Sequence, residues 1–185
     1  MIILGLTGSF AAGKGAVVEY LVKERAFQHF SASGFITEEI VRRGMDVNRD
    51  SMTIVGNEMR QMNGPAYIIN TLYARAQETG KDSIIESLRA VAEVRRIKEL
   101  GGYVLGIDAD PKLRYERALA RKSEKDSVTY EEWRKQEETE SNAKDPTKQN
   151  IFGALSESDF VIQNNGTLEE LHRQLSELLA TVTKT

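Results

Sequence analysis

The sequence has no cysteine in its 185 residues, and only two histidines, three prolines and one tryptophan. Without cysteine there is no disulfide framework, no thiolate nucleophile and no thiolate-ligated zinc or iron–sulfur centre. His29 and His172 have no partner at ligand or relay spacing, so neither is expected in catalysis. An excess of positive charge is missing too: 25 Lys and Arg face 28 Asp and Glu, a net charge of −3. Long nucleic acid is thereby an unexpected partner, whereas a small anion needs only a local positive pocket. No apolar run reaches the ~18 residues of a membrane span. The short apolar run Met1 to Leu6 has neither the length nor the basic leader of a signal peptide and reads as a buried strand. A soluble cytoplasmic protein with no membrane partner is expected.

What the chain does contain is an alternation of short β-branched runs with segments of helical period, the pattern of a parallel sheet covered by helices. Five strands are expected, at Ile2–Leu6, Gln28–Ser31, Ser83–Glu86, Tyr103–Ile107 and Phe160–Gln163. Helices are expected at Lys14–Lys23, Thr37–Arg43, Met52–Gln61, Ala66–Gln77, Val91–Leu100, Leu113–Arg121 and Leu168–Leu179. Pro65 should separate the third of these from the fourth, and Pro111 suits a first turn capped by Asp110. From Lys112 to Lys148 there are 10 basic and 9 acidic residues, net +1. That density fits a solvent-facing helix or a basic-lined flap, with Trp133 anchoring it by packing.

After the first strand comes Gly8-Ser9-Phe10-Ala11-Ala12-Gly13-Lys14-Gly15. Glycines at both ends of such a loop let it curl into a nest whose backbone N–H groups, with the next helix N-terminus, face phosphate oxygens. Lys14 then supplies a point charge between the β and γ phosphates. The last motif position normally carries Ser or Thr for Mg²⁺, but Gly15 and Ala16 have no side-chain oxygen. The metal is therefore expected to be held by nucleotide phosphates and water, with help from Thr7 or Ser9.

The third strand ends at Glu86, on the sheet edge where this loop opens. Glu86 either orients a magnesium-bound water or serves structurally, as a helix cap or an arginine partner. Arg89, three residues on, suits a two-pronged phosphate contact with a second substrate. Arg114, Arg117 and Arg121 share one helix face and either pair with Glu116 and Glu124 or, for Arg117 and Arg121, neutralise charge on a transferring phosphoryl group. Asn164-Asn165-Gly166-Thr167 forms a turn into the last helix and can also border a nucleotide base.

The loop, His29-Phe30-Ser31, Glu38-Glu39-Ile40, Arg42-Arg43-Gly44, Val47-Asn48-Arg49-Asp50-Ser51-Met52, Glu86-Ser87-Leu88-Arg89, Asp108-Ala109-Asp110-Pro111, Arg114-Tyr115-Glu116-Arg117 and Asn165-Gly166-Thr167-Leu168-Glu169-Glu170-Leu171 together resemble the P-loop nucleotide-kinase-like proteins. These are adenylate-kinase-related and dephospho-CoA-kinase-related, and a similar domain is fused to some deoxycytidylate deaminases. The resemblance implies an α/β three-layer P-loop NTPase fold: a five-stranded parallel sheet, helices on both faces and a charged helical lid. It implies a single domain over 1–185, with acceptor-binding helices at about 32–80 and a lid at about 112–148. By position it gives phosphate contacts to Lys14, Arg89, Arg117 and Arg121. ATP and Mg²⁺ are the implied cofactors, small-molecule nucleotides the partners, and a monomer or homodimer the expected state.

The nucleotide site expected is Gly8, Ser9, Phe10, Ala11, Ala12, Gly13, Lys14, Gly15 and Ala16, with Asn165 and Gly166; Arg89 and Arg42 are the acceptor candidates, and Glu86 a metal candidate through water. The family's Ser-x-Arg-Asp type segment is replaced by Ser31-Ala32-Ser33-Gly34-Phe35. A hydroxyl acceptor such as dephospho-CoA requires a base, yet no Asp or Glu occurs from Ser31 through Thr37, and only Glu38 follows closely. A monophosphate acceptor arrives ionised and needs positioning alone. The sequence therefore favours γ-phosphoryl transfer to a nucleoside or deoxynucleoside monophosphate. Dephospho-CoA kinase and a nucleotide sensor without turnover are the alternatives.

Overall fold

A computed structural model describes residues 1–120, 129–141 and 149–183. Five parallel strands form its centre: β1 (Ile3–Gly8), β2 (Gln28–Ser31), β3 (Ser83–Glu86), β4 (Tyr103–Asp108) and β5 (Phe160–Gln163), in the order β2-β3-β1-β4-β5. The helices are α1 (Lys14–Arg25), α2 (Ala32–Arg42), α3 (Arg49–Asn63), α4 (Tyr67–Thr79), α5 (Val91–Glu99), α6 (Pro111–Ala120), α7 (Tyr130–Ser141), α8 (Ile151–Ser156) and α9 (Leu168–Val182).

Alternation along the strands creates the layers, since neighbouring side chains point to opposite faces. Ile3, Ile85 and Val104 pack with residues of α2 to α5 and α8. Leu4, Leu6, Ile84, Leu105 and Ile107 pack on the other face with Val17 and Leu21 of α1 and Leu171, Leu175 and Leu179 of α9. The expected three-layer α/β architecture is what the chain forms. None of the described helices is long and apolar enough to cross a membrane.

The strands fall close to where they are expected, with one informative shift. β1 continues through Thr7 and Gly8, which pair with Gly106 and Ile107 of β4. The strand thus carries its order into the glycine loop. Helix α2 begins at Ala32 rather than Thr37 because the Ser31 side chain accepts the Gly34 N–H and caps it. Asn48 and Ser51 form a reciprocal capping box that starts α3 three residues ahead of Met52. Asp110 caps α6, accepting from Lys112 N–H at 2.9 Å, with Pro111 in the first turn. The short α8 has only six residues, too few for its period to stand out in the sequence.

Candidate functional site

The central strand β1 lies between β3 and β4, so its carboxyl end opens between their two end loops. The glycine loop turns there. Gly8 has φ +148°, and a Cβ at that position would meet the Ile107 carbonyl oxygen at 2.1 Å. Gly13 has φ +107°, and its Cβ would stand 2.3 Å from Asn164 Nδ2. Ala11 between them is left-handed at φ 57°. These geometric demands explain the spacing of the two glycines. Lys14 opens α1 and folds back, donating from Nζ to the carbonyls of Gly8 at 2.7 Å and Ser9 at 2.8 Å. Phe10 is exposed, while Ala11 and Ala12 are buried beneath the loop. Gly15 faces open space, with no atom within 4 Å of where its Cβ would be.

The β3 side is stapled to β1. Leu88 N–H donates to the Leu6 carbonyl at 3.2 Å, and Thr7 Oγ1 donates to the Leu88 carbonyl at 2.9 Å. Thr7 is thus engaged in holding the fold rather than aimed at a ligand. Between Glu86 and Leu88, Ser87 takes φ 69°, a strained conformation for a residue with a Cβ. The hook brings Glu86 and Arg89 to the same sheet edge as the loop. Glu86 Oε1 lies 3.3 Å from His29 Nε2. The pair joins adjacent strands β2 and β3, whose Ser31 and Glu86 are register partners. Sequence spacing could not reveal it, because the two residues are 57 positions apart and meet only through strand order.

Arg89 is exposed, with Nη1 donating to Gln149 Oε1 at 3.1 Å. Its backbone is fixed more firmly: its N–H donates to Glu93 Oε2 at 2.8 Å, and its carbonyl accepts from Asn150 at 2.8 Å. Arg42 goes elsewhere. It ends α2, roughly 15 Å along that helix from the end of β2, and both its Nε and Nη2 bond to Glu39 at 2.7 Å. Its side chain is 74% exposed and engaged with Glu39. The hydrogen bonds from Arg42 and then Arg43 hold the Glu39 carboxyl at about 2.

On the β4 side, α6 carries two arginines with different surroundings. Arg114 is 2% exposed and paired with Glu137 of α7, not with Glu116; Glu124 lies outside the described residues. Arg117, three residues on, has a buried Nη1 without a hydrogen-bond partner; Ser9 Oγ and Asp108 Oδ1 are also buried without a hydrogen bond, and Asp108 Oδ1 lies 3.6 Å from Arg114 Nε in an ion pair. Arg121 lies outside the described residues. Trp133 is buried, as expected of a packing anchor. Buried polar atoms in folded proteins nearly always find hydrogen-bond partners, so Ser9 Oγ just past β1 and Arg117 Nη1 on α6 are candidates to meet a polar ligand.

The β5 end loop closes the site. Asn164, expected in a turn that can also border a nucleotide base, donates from Nδ2 to the Ala12 carbonyl at 2.8 Å and from its backbone to the Asp108 carbonyl at 2.7 Å. Asn165 Oδ1 accepts the Asp110 N–H at 2.7 Å, tying the β4 and β5 end loops together. Gly166 has no room for a Cβ, which would meet Glu170 Oε2 at 1.6 Å. That carboxylate completes the capping box of α9 with Thr167.

Among the described residues no group of three or more His, Asp or Glu could by itself hold a metal ion. A hard cation such as Mg²⁺ takes oxygen ligands. Ser9 Oγ and Asp108 Oδ1 meet that requirement alongside phosphate oxygens.

Comparison with known proteins agrees with this architecture. The chain is 23% identical over its whole length to a UPF0200/UPF0201 protein of Archaeoglobus fulgidus, of which it spans 57%. It resembles the fold of shikimate kinase from Aquifex aeolicus, with a TM-score of 0.57 and 16% identity over 98% of both chains. Dephospho-CoA kinase from Campylobacter jejuni shares the fold at a TM-score of 0.55 and 17% identity, over 99% of this chain and 98% of that one. Residues 4–143 match the AAA_18 family model, described as an AAA domain, and the chain belongs to that family of P-loop kinase-like proteins.

Proposed function

We propose that the protein is a phosphotransferase that binds ATP at the glycine loop and moves its γ-phosphoryl group to a nucleoside or deoxynucleoside monophosphate. The observation that carries this reading is Arg117 Nη1: a guanidinium N–H buried without a partner, one helical turn beyond the arginine that touches the loop. Burying such a donor unpaired is unfavourable unless a ligand oxygen completes it. The loop amides and Lys14 bind the donor phosphates, and Asn165 and Gly166 border its base. Arg89 holds the acceptor phosphate.

In the transfer, an acceptor phosphate oxygen bonds to the γ phosphorus as the bond from that phosphorus to the β–γ bridging oxygen breaks, and ADP leaves. Arg117, with Arg121, neutralises charge on the transferring oxygens. Ser9, Asp108 and, through a water, Glu86 would hold Mg²⁺ beside the phosphates, where it would supply further charge neutralisation.

One observation favours a second reading, transfer to a hydroxyl as in dephospho-CoA. Glu38 does not serve it well as a base, because it is 64% exposed and pairs with Arg75 at 3.4 Å. Glu86, oriented by His29, is better placed at the sheet edge and would take the hydroxyl proton. A non-turning-over nucleotide sensor is a third outcome.

Thermal-shift titration with ATP, ADP and GTP, with and without Mg²⁺, tests the donor site: Lys14→Ala abolishes the shift, and equal responses of wild type and variant would sink the proposal. Turnover against a panel of nucleoside monophosphates and dephospho-CoA then identifies the acceptor class. Tight binding with no transfer to any of them would assign the sensor.

A further inference from the structure

Arg114 makes contacts that phosphate binding does not explain. Its Nε donates to the Ala109 carbonyl at 2.9 Å, its Nη2 to Glu137 Oε2 at 3.1 Å, and its Nη1 to Glu137 Oε1 and to the Phe10 carbonyl at 3.3 Å. Its guanidinium also lies 5.2 Å over the Trp133 ring. The Trp133 ring is in turn 6.4 Å from that of Phe10. A residue of the glycine loop is thus joined to α7 twice, by its carbonyl through Arg114 and Glu137 and by its ring through Trp133. Arg134 adds a second donor to Glu137, at 3.1 Å.

A buried ion pair of this kind is weak evidence for stability, because removing two charges from water offsets much of their attraction. It does fix geometry. Phe10 lies in the stretch of loop whose N–H groups face the phosphates, so a change of that backbone on binding must be accommodated by Arg114, Glu137 or Trp133. We propose that Arg114 and Glu137 are positioning residues that set the shape of the loop at Phe10 and transmit nucleotide occupancy to α7. This rests on the reading that the loop binds ATP.

The chain's single tryptophan makes the coupling visible. ATP binding is measured by calorimetry and, in parallel, by Trp133 emission. In the wild type, binding by calorimetry should be matched by an emission change that saturates at the same ATP concentration. The double variant Arg114→Met with Glu137→Leu removes both charges together, a replacement that cores often tolerate. It should weaken ATP binding by roughly tenfold, within the range of ordinary coupling between sites, and lose the emission change. Phe10→Ala, which alters an exposed side chain, should diminish the emission change even if the double variant fails to fold.

ATP binding with no Trp133 response in the wild type would overturn the coupling and leave the donor site standing. A folded double variant with wild-type affinity and response would do the same, as would an undiminished response in Phe10→Ala. No ATP binding to the wild type by calorimetry would overturn both readings.

Discussion

Arg60 of α3 and Glu93 of α5 are paired at 2.9 Å, with the Glu93 side chain wholly removed from solvent. The other carboxylate oxygen of Glu93 accepts the N–H groups of Arg89 at 2.8 Å and Ala90 at 3.2 Å. One buried carboxylate therefore anchors α3 and the backbone of the proposed acceptor arginine. Glu93→Ala leaves Arg60 charged and unpartnered at that contact, and should cost about 3–5 kcal/mol. Chemical denaturation measures it, and a loss below about 1 kcal/mol would contradict the role assigned to the pair.

Gly13→Ala should impair both stability and nucleotide binding. The added Cβ meets Asn164 Nδ2, which is already bonded to Ala12, and it must adopt a φ that L residues avoid. A loss of about 1–3 kcal/mol is expected, together with a reduced ATP-induced thermal shift. A variant with unchanged melting and ATP response would show that the loop does not depend on this geometry.

Gly15→Ser should be accepted without strain, because the position is open and its backbone is ordinary. It restores a hydroxyl oxygen where P-loops hold Mg²⁺. The expected outcome is an unchanged or raised melting temperature and a steeper Mg²⁺ dependence of ATP affinity, read by titration at several metal concentrations. If the Mg²⁺ dependence does not change, the metal does not approach residue 15.

Glu39 gives a pH prediction with a definite sign. Its carboxyl is held at about 2, against the ordinary 4.5, by hydrogen bonds from Arg42 and Arg43. A lowered native value contributes stability above 4.5 that is lost as pH falls toward 2. Glu39→Gln should therefore melt below the wild type at neutral pH, and the gap should narrow from about pH 5 to about pH 3. A gap that widens on acidification would reverse the assignment.

The sheet is legible in the sequence because β1, β3, β4 and β5 contain short apolar runs, whereas β2 is Gln-His-Phe-Ser, and the glycine loop because two glycines and a lysine have a geometric reason for their spacing. Helix starts are harder to read. Ser31 and Asn48 cap their helices through side-chain bonds that composition only hints at. Arg114, Arg117 and Arg121 look equivalent in sequence, since their spacing of three and four puts them on one helical face. Burial and the arrival of Glu137 from another helix separate Arg114 from Arg117. The Glu39 partner of Arg42 follows from helical spacing, three residues back along α2. His29 has no partner near in sequence, and strand adjacency supplies one.

The bond from Asn164 to Ala12 joins residues 152 positions apart. Synthesis proceeds from the N-terminal end, so the loop emerges early and receives this partner only after all five strands have been made. The helices α2 to α5 can begin to dock on β1 and β3 before then, because apart from Ala154 of α8 their cluster draws on nothing beyond β4. On the proposed function, phosphate binding would then be a late property of the folding chain, with nucleotide stabilising the finished sheet rather than guiding its assembly.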